Sequence, residues 1–311
     1  MKLVILMLAY NEEDRVGKTI LRIPRKIPGI DSVEVLLIND GSSDNTVDMA
    51  MNAGVDKIVS HKTNLGVGAA FTTGVRNALS MNADMMVTVD ADGEANIDQI
   101  PDLINPIINN QFDVVVGTRF WKNSSNEFKK INNLGNRIFT NLVSFVAGKK
   151  FTDTQTGFRS YSRDALENIS VISDFTYTQE VLLDLHFKKF RIGETPITFN
   201  LRKDSRLVKS VSNYAMRALS IVFTSLVFHR PIMAFGFFGL FLAVLGITAK
   251  LFTSVFNIIA INSTLSSGLI LLGAVSFMMG LFAHIVFKRQ AYNQKDLLTR
   301  IRNLEKLKSH D

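Results

Sequence analysis

The amino-acid sequence predicts an α/β domain built on a mainly parallel sheet, followed by two membrane-spanning helices. Strand-like and helix-like segments alternate through the first half of the chain, as in sheets that helices cover on both faces. Clusters of polar residues directly follow several of the strand-like segments. Two runs in the last third are apolar over the roughly 20 residues that a spanning helix needs.

Five segments have the composition of buried strands, and helical segments separate them. The predicted strands cover residues 2–9, 33–39, 57–60, 85–90 and 114–118. The predicted helices begin near Glu12 and near Ser43 or Asp44, and two more cover residues 67–81 and 97–109. In such sheets ligands bind beyond the carboxyl ends of the strands. We therefore expect the polar clusters to meet at one edge of the sheet and to form a site there.

The net positive charge of the chain comes from its last third. The whole chain has a net charge of +7, but residues 1–201 carry −3 and residues 202–311 carry +10. Because the basic residues lie beside the apolar runs, this distribution favours an anionic membrane surface over nucleic acid as the partner. The chain has no cysteine, which excludes disulfides and thiolate metal sites.

The two apolar runs predict a pair of membrane helices. Residues 231–256 contain one charged residue, Lys250, and residues 265–287 contain only His284 as a titratable group. The connection between the runs is uncharged, whereas the segments outside them are basic. By the positive-inside rule, the N-terminal domain and the C-terminal tail are expected in the cytoplasm.

Helices with one apolar face are expected before and after the two membrane helices in the sequence. Between residues 207 and 228 apolar residues recur at spacings of three and four, which predicts an amphipathic helix lying on the membrane or against a protein surface. The predicted organisation is a catalytic domain over 1–206, this helix over 207–230, two membrane helices over 231–287 and a basic tail helix over 288–311. The amphipathic helix and the tail helix also suggest a homodimer or a homotetramer.

An acidic cluster at the end of the fourth predicted strand indicates a cation site. Asp90 and Asp92 are two residues apart, so in an extended chain both side chains leave the same face, with Glu94 close behind. Carboxylate oxygens suit Mg²⁺ or Mn²⁺, which commonly bridge protein carboxylates to substrate phosphates. The alternative is an ordinary turn or helix cap, where aspartate is also common.

The segment after the second predicted strand can form a second wall of the site. Asn39 and Asp40 leave a buried strand, and Gly41 permits a tight turn. The Asp40 carboxylate can accept hydrogen bonds from a nucleobase or ribose, or the segment can be a plain turn with a helix cap. The glycines of residues 64–74 do not form a dinucleotide motif, because Phe71 occupies the third glycine position. These glycines are expected to let the helix start close to a nucleotide or to the sheet.

Five motifs in order resemble one enzyme family. They are AYNEE at 9–13, NDGSSDNT at 39–46, DADGE at 90–94, GTRF at 117–120 and DTQTGFR at 153–159. Together with TPITFNLRKDSRL at 195–207, this set resembles the family 2 inverting glycosyltransferases of the dolichol-phosphate mannose synthase type, which have the nucleotide-sugar-binding GT-A fold. The two apolar runs that follow resemble the polyprenyl-phosphate glucosyltransferase branch.

The resemblance implies a role for each matching residue. The nucleotide sugar would be bound by Leu8, Tyr10, Glu12, Asp40, Asp90, Arg202, Ser205 and Arg206. The metal would be surrounded by Asp90, Asp92 and Glu94, and the acceptor phosphate would meet Arg119 with Lys129 or Lys130. Asp92, Arg119 and Arg202 are the predicted catalytic residues.

Three departures from the family pattern are present. Leu8 stands where proline is usual, Asn39 where a second aspartate is usual, and residues 203–206 read KDSR where GESK is usual. The last departure leaves open which basic side chain after Arg202 touches the diphosphate.

The resemblance implies metal-dependent, inverting transfer of a hexose from a nucleotide diphosphate sugar to a polyprenyl phosphate. UDP-glucose is the first donor expected, with GDP-mannose or a UDP-N-acetylhexosamine as alternatives, and the carrier is dolichyl or undecaprenyl phosphate. A membrane polysaccharide synthase is a further alternative. It typically has more membrane spans and a Gln-x-x-Arg-Trp motif, which Trp121, the one tryptophan of the chain, does not supply.

Overall fold

The computed structural model describes residues 1–120, 130–171, 177–199, 220, 223–224, 226–228, 230–256 and 263–308. The chain divides into two compact units, Met1–Val222 and Phe223–Asp311. The N-terminal unit is an α/β domain and the C-terminal unit is helical in its described part.

The described part of the N-terminal unit contains seven strands and seven α-helices, which alternate along most of its length. The strands are β1 Lys2–Ala9, β2 Ser32–Asn39, β3 Lys57–Ser60, β4 Met85–Asp90, β5 Val114–Thr118, β6 Arg159–Ser162 and β7 Ile192–Pro196. The helices are α1 Val16–Arg22, α2 Thr46–Asn52, α3 Val67–Ser80, α4 Ile100–Ile108, α5 Lys130–Ala147, α6 Arg163–Asn168 and α7 Thr178–Phe187. A 3₁₀ turn, Ile97–Gln99, precedes α4.

All strands join one sheet in the order β3-β2-β1-β4-β6-β5-β7. Strand β6 runs antiparallel to β4 and β5, and every other neighbouring pair is parallel. The predicted mainly parallel sheet is therefore confirmed. The carboxyl ends of β1, β2, β4, β5 and β7 lie at one edge, and β6 starts from that edge because its direction is reversed.

The centre of the sheet is buried on both faces, as the unbroken apolar run from Leu3 to Ala9 in β1 requires. In β1 the side chains from Leu3 to Met7 have no exposed surface. Helix α3 packs closely on this strand, because a Cβ atom at Gly74 would lie 2.5 Å from Leu6 Cδ1. Gly74 therefore lets the middle of α3 approach the sheet closely, and the expected close approach of the start of the helix stays a prediction.

Two helices make up most of the described C-terminal unit, α8 Pro231–Phe256 and α9 Ser263–Lys308. Residues Pro231–Phe252 and Thr264–Gln290 are long and apolar enough to cross a membrane, each with a mean hydropathy of 2.3. Helix α9 continues through the basic tail, so the predicted tail helix is the end of the second apolar helix.

Glycines set the distance between α8 and α9. A Cβ atom at Gly239 would lie 2.5 Å from the Gly273 carbonyl oxygen, and a Cβ atom at Gly273 equally close to that of Gly239. The Ser276 hydroxyl donates a hydrogen bond to the Phe235 carbonyl oxygen at 3.0 Å. Close backbone approach at small residues and hydrogen bonds from serine are typical of helix pairs in membranes.

Candidate active site

The loops after β1 and β2 are joined by hydrogen bonds into one wall of the site. The Asn11 side chain accepts from Ser43 N at 2.9 Å, and its own backbone N donates to Ser42 Oγ at 3.0 Å. Glu12 N donates to Thr46 Oγ1 at 2.8 Å. Of the three predicted base and ribose residues, Tyr10 is 48% exposed at this wall, Glu12 is half-buried, and Leu8 is buried in β1.

The turn after β2 has the shape that Gly41 was expected to permit. Gly41 has a φ of +73°, and a Cβ atom on it would lie 2.4 Å from the Thr63 carbonyl carbon, so only glycine fits. Asn39 accepts a hydrogen bond from Ser42 N at 3.0 Å and donates one to Ser60 Oγ at 3.2 Å. The buried Asn39 side chain therefore stabilises the turn through these two hydrogen bonds.

Asp40 anchors the loop that leads into α3. Its carboxylate accepts hydrogen bonds from Leu65 N at 3.0 Å and Gly66 N at 2.9 Å, and it lies 2.7 Å from His61 Nδ1. The residue is only 4% exposed. In this geometry Asp40 orders the protein's own loop, and its predicted contact with a nucleobase stays a prediction.

The acidic cluster lies at the carboxyl end of β4. Burial and the nearby negative charges of Asp92, Glu94 and Glu12 raise the pKa of Asp90 to about 7, while Arg119 opposes the shift. Asp92 Oδ1 accepts from Glu94 N at 3.0 Å, and Gly93 between them has a φ of +71°. The expected crowding of negative charge is therefore present at this strand end.

The acidic cluster suits a hard divalent cation by chemistry and charge. Its donors are carboxylate oxygens, and the raised pKa of Asp90 reflects negative charge that a cation would offset. Within the described residues no three His, Asp or Glu side chains converge closely enough to hold a metal ion. Asp90 at the end of β4 and Asp92 and Glu94 just after it thus interact electrostatically, but their side chains do not converge into a three-ligand metal site.

Arg119, at the end of β5, is held by the buried carboxylate of Asp153. Its Nε donates to Asp153 Oδ2 at 2.7 Å and its Nη2 to Asp153 Oδ1 at 3.1 Å, a bidentate pair. Asp153 has no exposed surface, and the Arg119 side chain is 14% exposed. The guanidinium also lies over the rings of Phe120 and Phe199, at 5.4 and 5.8 Å.

Glu194, on β7, in turn positions the segment that carries Asp153. It accepts hydrogen bonds from Thr152 N at 2.7 Å, Thr152 Oγ1 at 3.0 Å and Asp153 N at 3.3 Å. A chain of contacts therefore runs from Glu194 through Asp153 to Arg119. Sequence reasoning found Arg119 but assigned no role to Asp153 or Glu194. The one signal for Asp153 was its place in the DTQTGFR motif.

Arg159 folds the rest of that motif against the sheet. Its side chain is fully buried and donates to the carbonyl oxygens of Thr156 at 2.9 Å, Thr154 at 2.9 Å and Thr178 at 2.6 Å. The Thr88 hydroxyl on β4 donates to the Gly157 carbonyl oxygen. These bonds bring Gly157 beside Asp90.

Gly157 and Tyr177 form the inner boundary of the acidic cluster. A Cβ atom at Gly157 would lie 3.0 Å from Asp90 Oδ2 and 3.3 Å from the Tyr177 hydroxyl oxygen. Tyr177 is buried and stacks on Phe71, with ring centroids 3.9 Å apart and an interplanar angle of 7°. Burial and the negative charge of Asp90 raise the pKa of Tyr177 well above its usual value, so its hydroxyl stays protonated.

Several predicted site residues lie outside the described part of the chain. These are Lys129, Arg202, Ser205 and Arg206, and most of the predicted amphipathic helix over 207–228. Lys130 is the first residue of α5.

Comparison with known proteins identifies the family. The model of "Glycosyl transferase family 2" matches residues 4–170. A UDP-N-acetylglucosamine–dolichyl-phosphate N-acetylglucosaminyltransferase of Methanococcus voltae is 33% identical over 222 residues, which is 63% of this chain and 85% of the relative. A dolichyl-phosphate hexose transferase of Haloferax volcanii is 30% identical over 220 residues, which is 71% of this chain and 92% of the relative.

A solved structure supports the fold. Glucosyl-3-phosphoglycerate synthase of Mycobacterium tuberculosis, in a complex with Mn²⁺, UDP and glucosyl-3-phosphoglycerate, matches with a TM-score of 0.55 at 17% identity, over 72% of this chain and 78% of that one. This likeness confirms the predicted GT-A-type fold. The ordered motifs, the sheet and the family match agree: the chain belongs to glycosyl transferase family 2 and is a glycosyltransferase.

Proposed function

We propose that this glycosyltransferase moves a hexose from a nucleoside diphosphate sugar to a polyprenyl phosphate at the cytoplasmic face of a membrane. The observation that carries the proposal is a guanidinium, Arg119, held by a buried carboxylate beside the acidic cluster. Such a site can hold two phosphate-bearing substrates, one on the cation side and one on the arginine side. Both relatives are named as transferases that act on dolichyl phosphate, which supports the same substrate class.

The nucleophile in this proposal is the phosphate of the lipid. A phosphate monoester has a second pKa of about 6 and is mostly dianionic at neutral pH, so its attack needs no general base. Asp153 is already engaged with Arg119 through both carboxylate oxygens, which fits a positioning role rather than proton transfer. Arg119 would align the acceptor oxygen behind the anomeric carbon.

The donor is placed on the opposite side by the acidic cluster. Asp90, Asp92 and Glu94 would hold Mg²⁺ or Mn²⁺ together with the diphosphate. A bound cation of this kind would offset the charge that develops on the departing nucleoside diphosphate. Tyr10 and Glu12 would border the base and ribose, and Arg202 with Ser205 or Arg206 would cover the diphosphate. A single displacement then inverts the anomeric centre and gives a β-linked product from an α-linked donor.

The C-terminal unit would keep the reaction at the bilayer. Two apolar helices flanked by basic residues anchor the chain, with the catalytic domain and both termini in the cytoplasm. The lipid phosphate then enters the site from the membrane surface. A homodimer or homotetramer is part of this proposal.

The donor is tested by supplying radiolabelled nucleotide sugars one at a time with Mg²⁺ or Mn²⁺ and a polyprenyl phosphate. UDP-glucose is the first donor proposed, followed by UDP-N-acetylglucosamine, the donor named for the Methanococcus voltae relative, and GDP-mannose. We expect label in the organic phase with one of them. Label only in a polymer that organic solvent does not extract would favour a polysaccharide synthase, and no label in either fraction would overturn the proposal.

A further inference from the structure

An apolar groove of about 840 Å³ runs along the contact of α8 and α9. Its walls are formed by residues such as Met233, Phe237 and Leu240 of α8 and Ile270 and Phe277 of α9. The two polar side chains that line it are Arg230 and His284. The described C-terminal unit therefore contains an apolar trough with a cationic end.

Helix pairing places both basic residues at the same end of the groove. A Cβ atom at Gly280 would lie 3.1 Å from the Pro231 carbonyl oxygen, so the turn of α9 before His284 lies beside the start of α8. From Arg230 to Ala243 the groove follows α8 for roughly 20 Å at 1.5 Å per residue, a large part of the roughly 30 Å hydrocarbon layer. The basic end is also the end next to Lys288 and Arg289.

Glycine rather than a bulky residue leaves the groove open. Gly236 lines it, and a Cβ atom there would make only ordinary contacts, the nearest being 3.6 Å from Phe277 Cδ2. In a bilayer such a trough is filled by hydrocarbon, and its charged end favours an anionic head group at the interface. An amphiphile with an anionic head and a long apolar chain matches both features.

We propose that this groove binds the hydrocarbon chain of the polyprenyl phosphate, with the phosphate-bearing end of the chain at the end of the groove lined by Arg230 and His284. The inference rests on the proposed function and adds a chain-binding subsite to it. Binding the chain along α8 and α9 would hold the phosphate at the membrane surface and make the enzyme sensitive to acceptor length. A short-chain phosphate would use the catalytic domain without using the groove.

The test uses two matched glycine variants of the full-length protein in liposomes. Gly236→Leu places a side chain in the groove, whereas Gly268→Leu places the same side chain on α9 where a Cβ atom meets nothing within 4 Å. We expect Gly236→Leu to raise the KM for a long-chain polyprenyl phosphate about tenfold, since several buried methylene contacts are lost. The KM for a two-isoprene phosphate should not change, and Gly268→Leu should change neither value.

Three outcomes of this test overturn the inference. Equal effects of Gly236→Leu on both acceptors, or no effect on either, would show that chain length is not sensed in the groove. A changed oligomeric mass in Gly236→Leu with an unchanged long-chain KM would assign the groove to a second copy of the chain instead.

A photoreactive polyprenyl phosphate separates this inference from the proposed function, because labelling needs no sugar transfer. Cross-links are expected at Met233 and Phe277 in the groove, to decrease in Gly236→Leu, and to persist in excess phosphatidylglycerol. Equal labelling of Leu271 and Phe282, which are exposed and do not line the groove, would contradict chain binding there. Groove labelling without any sugar transfer would instead remove the proposed function and leave the lipid site.

Discussion

Asp90 is half-buried and has three acidic neighbours, and the stability of the metal-free protein should therefore depend on pH. Its pKa is about 7 in the folded protein and 3.8 in an unfolded chain. Because its pKa is higher in the folded protein, protonation of Asp90 stabilises the folded state. This stabilisation is complete below pH 3.8 and is lost as the pH rises through about 7.

We therefore expect Asp90→Asn to raise the thermal unfolding midpoint of metal-free protein more at pH 8 than at pH 5. The exposed carboxylate of Asp102 provides the control variant, Asp102→Asn. Thermal unfolding in chelator at several pH values measures the effect. A difference between Asp90→Asn and wild type that is constant with pH would contradict the electrostatic interpretation.

The Arg119–Asp153 pair predicts an effect confined to the acceptor. Asp153→Asn removes the buried charge that aligns the guanidinium, and a misplacement of about 1 Å can lower the rate by about 100-fold. We expect such a loss in kcat/KM for polyprenyl phosphate, with the KM for the nucleotide sugar little changed. Steady-state kinetics with each substrate varied in turn measures both.

Asp113→Asn is the matched control, because Asp113 forms a similar pair with Arg191 at 2.8 Å before the start of β5. Equal losses in the two variants would indicate general destabilisation rather than positioning.

Gly157 predicts a defect in metal use. In Gly157→Ala the new methyl group meets Asp90 Oδ2 at 3.0 Å and the Tyr177 hydroxyl at 3.3 Å, so the carboxylate must move. We expect the Mn²⁺ concentration for half-maximal activity to rise by about an order of magnitude, since close-packed sites adapt poorly to an added methyl group. Gly135→Ala, where a Cβ atom has nothing within 4 Å, should behave as wild type. A normal metal requirement in Gly157→Ala would contradict this geometry.

At the residue scale, the sequence predicted groups that belong to a local pattern and missed those defined by distant partners. The spacing of Asp90 and Asp92 is contained in five consecutive residues, DADGE at 90–94. The role of Asp153 depends on Arg119, which precedes it by 34 residues, and on Glu194, which follows it by 41. No local pattern contains those pairings, and the stacking of Tyr177 on Phe71 is hidden for the same reason.

At the scale of elements, strands with continuous apolar composition were predicted well and polar ones were not. The predicted bounds of β1, β3, β4 and β5 match the structure, and β2 starts one residue earlier than predicted. The four residues of β6, RSYS, and the five of β7, IGETP, lack the apolar pattern of a buried strand. Arg159 can be buried in β6 because its guanidinium donates to three backbone carbonyls, a network that sequence does not reveal.

The contact of α8 and α9 gives a prediction at the element scale. Gly239→Leu would place its Cβ atom 2.5 Å from a carbonyl oxygen of Gly273, so the helices must separate. We expect a clearly lower unfolding temperature in detergent. Gly268→Leu, on the same pair of helices but in open space, should unfold like wild type. Equal stability of the two variants would show that the glycines do not set the helix packing.

At the scale of the whole molecule, the charge division and the two apolar helices agree with a membrane-bound enzyme. The first 201 residues are net negative and the remainder is net +10. Composition alone predicted this organisation, because membrane helices are defined by length and hydropathy rather than by tertiary contacts. The donor base and sugar were not predicted uniquely, since neither Asn39 nor Asp40 distinguishes uracil from guanine.

The most direct test of the central claim is label transfer from a nucleotide sugar to a polyprenyl phosphate, measured with Mn²⁺, with excess chelator, and with Mn²⁺ restored. The account predicts labelled lipid only when the divalent cation is present, and none from Asp92→Ala in any condition. Undiminished labelling in chelator, or full activity of Asp92→Ala, would contradict a cation-dependent reaction at the end of β4.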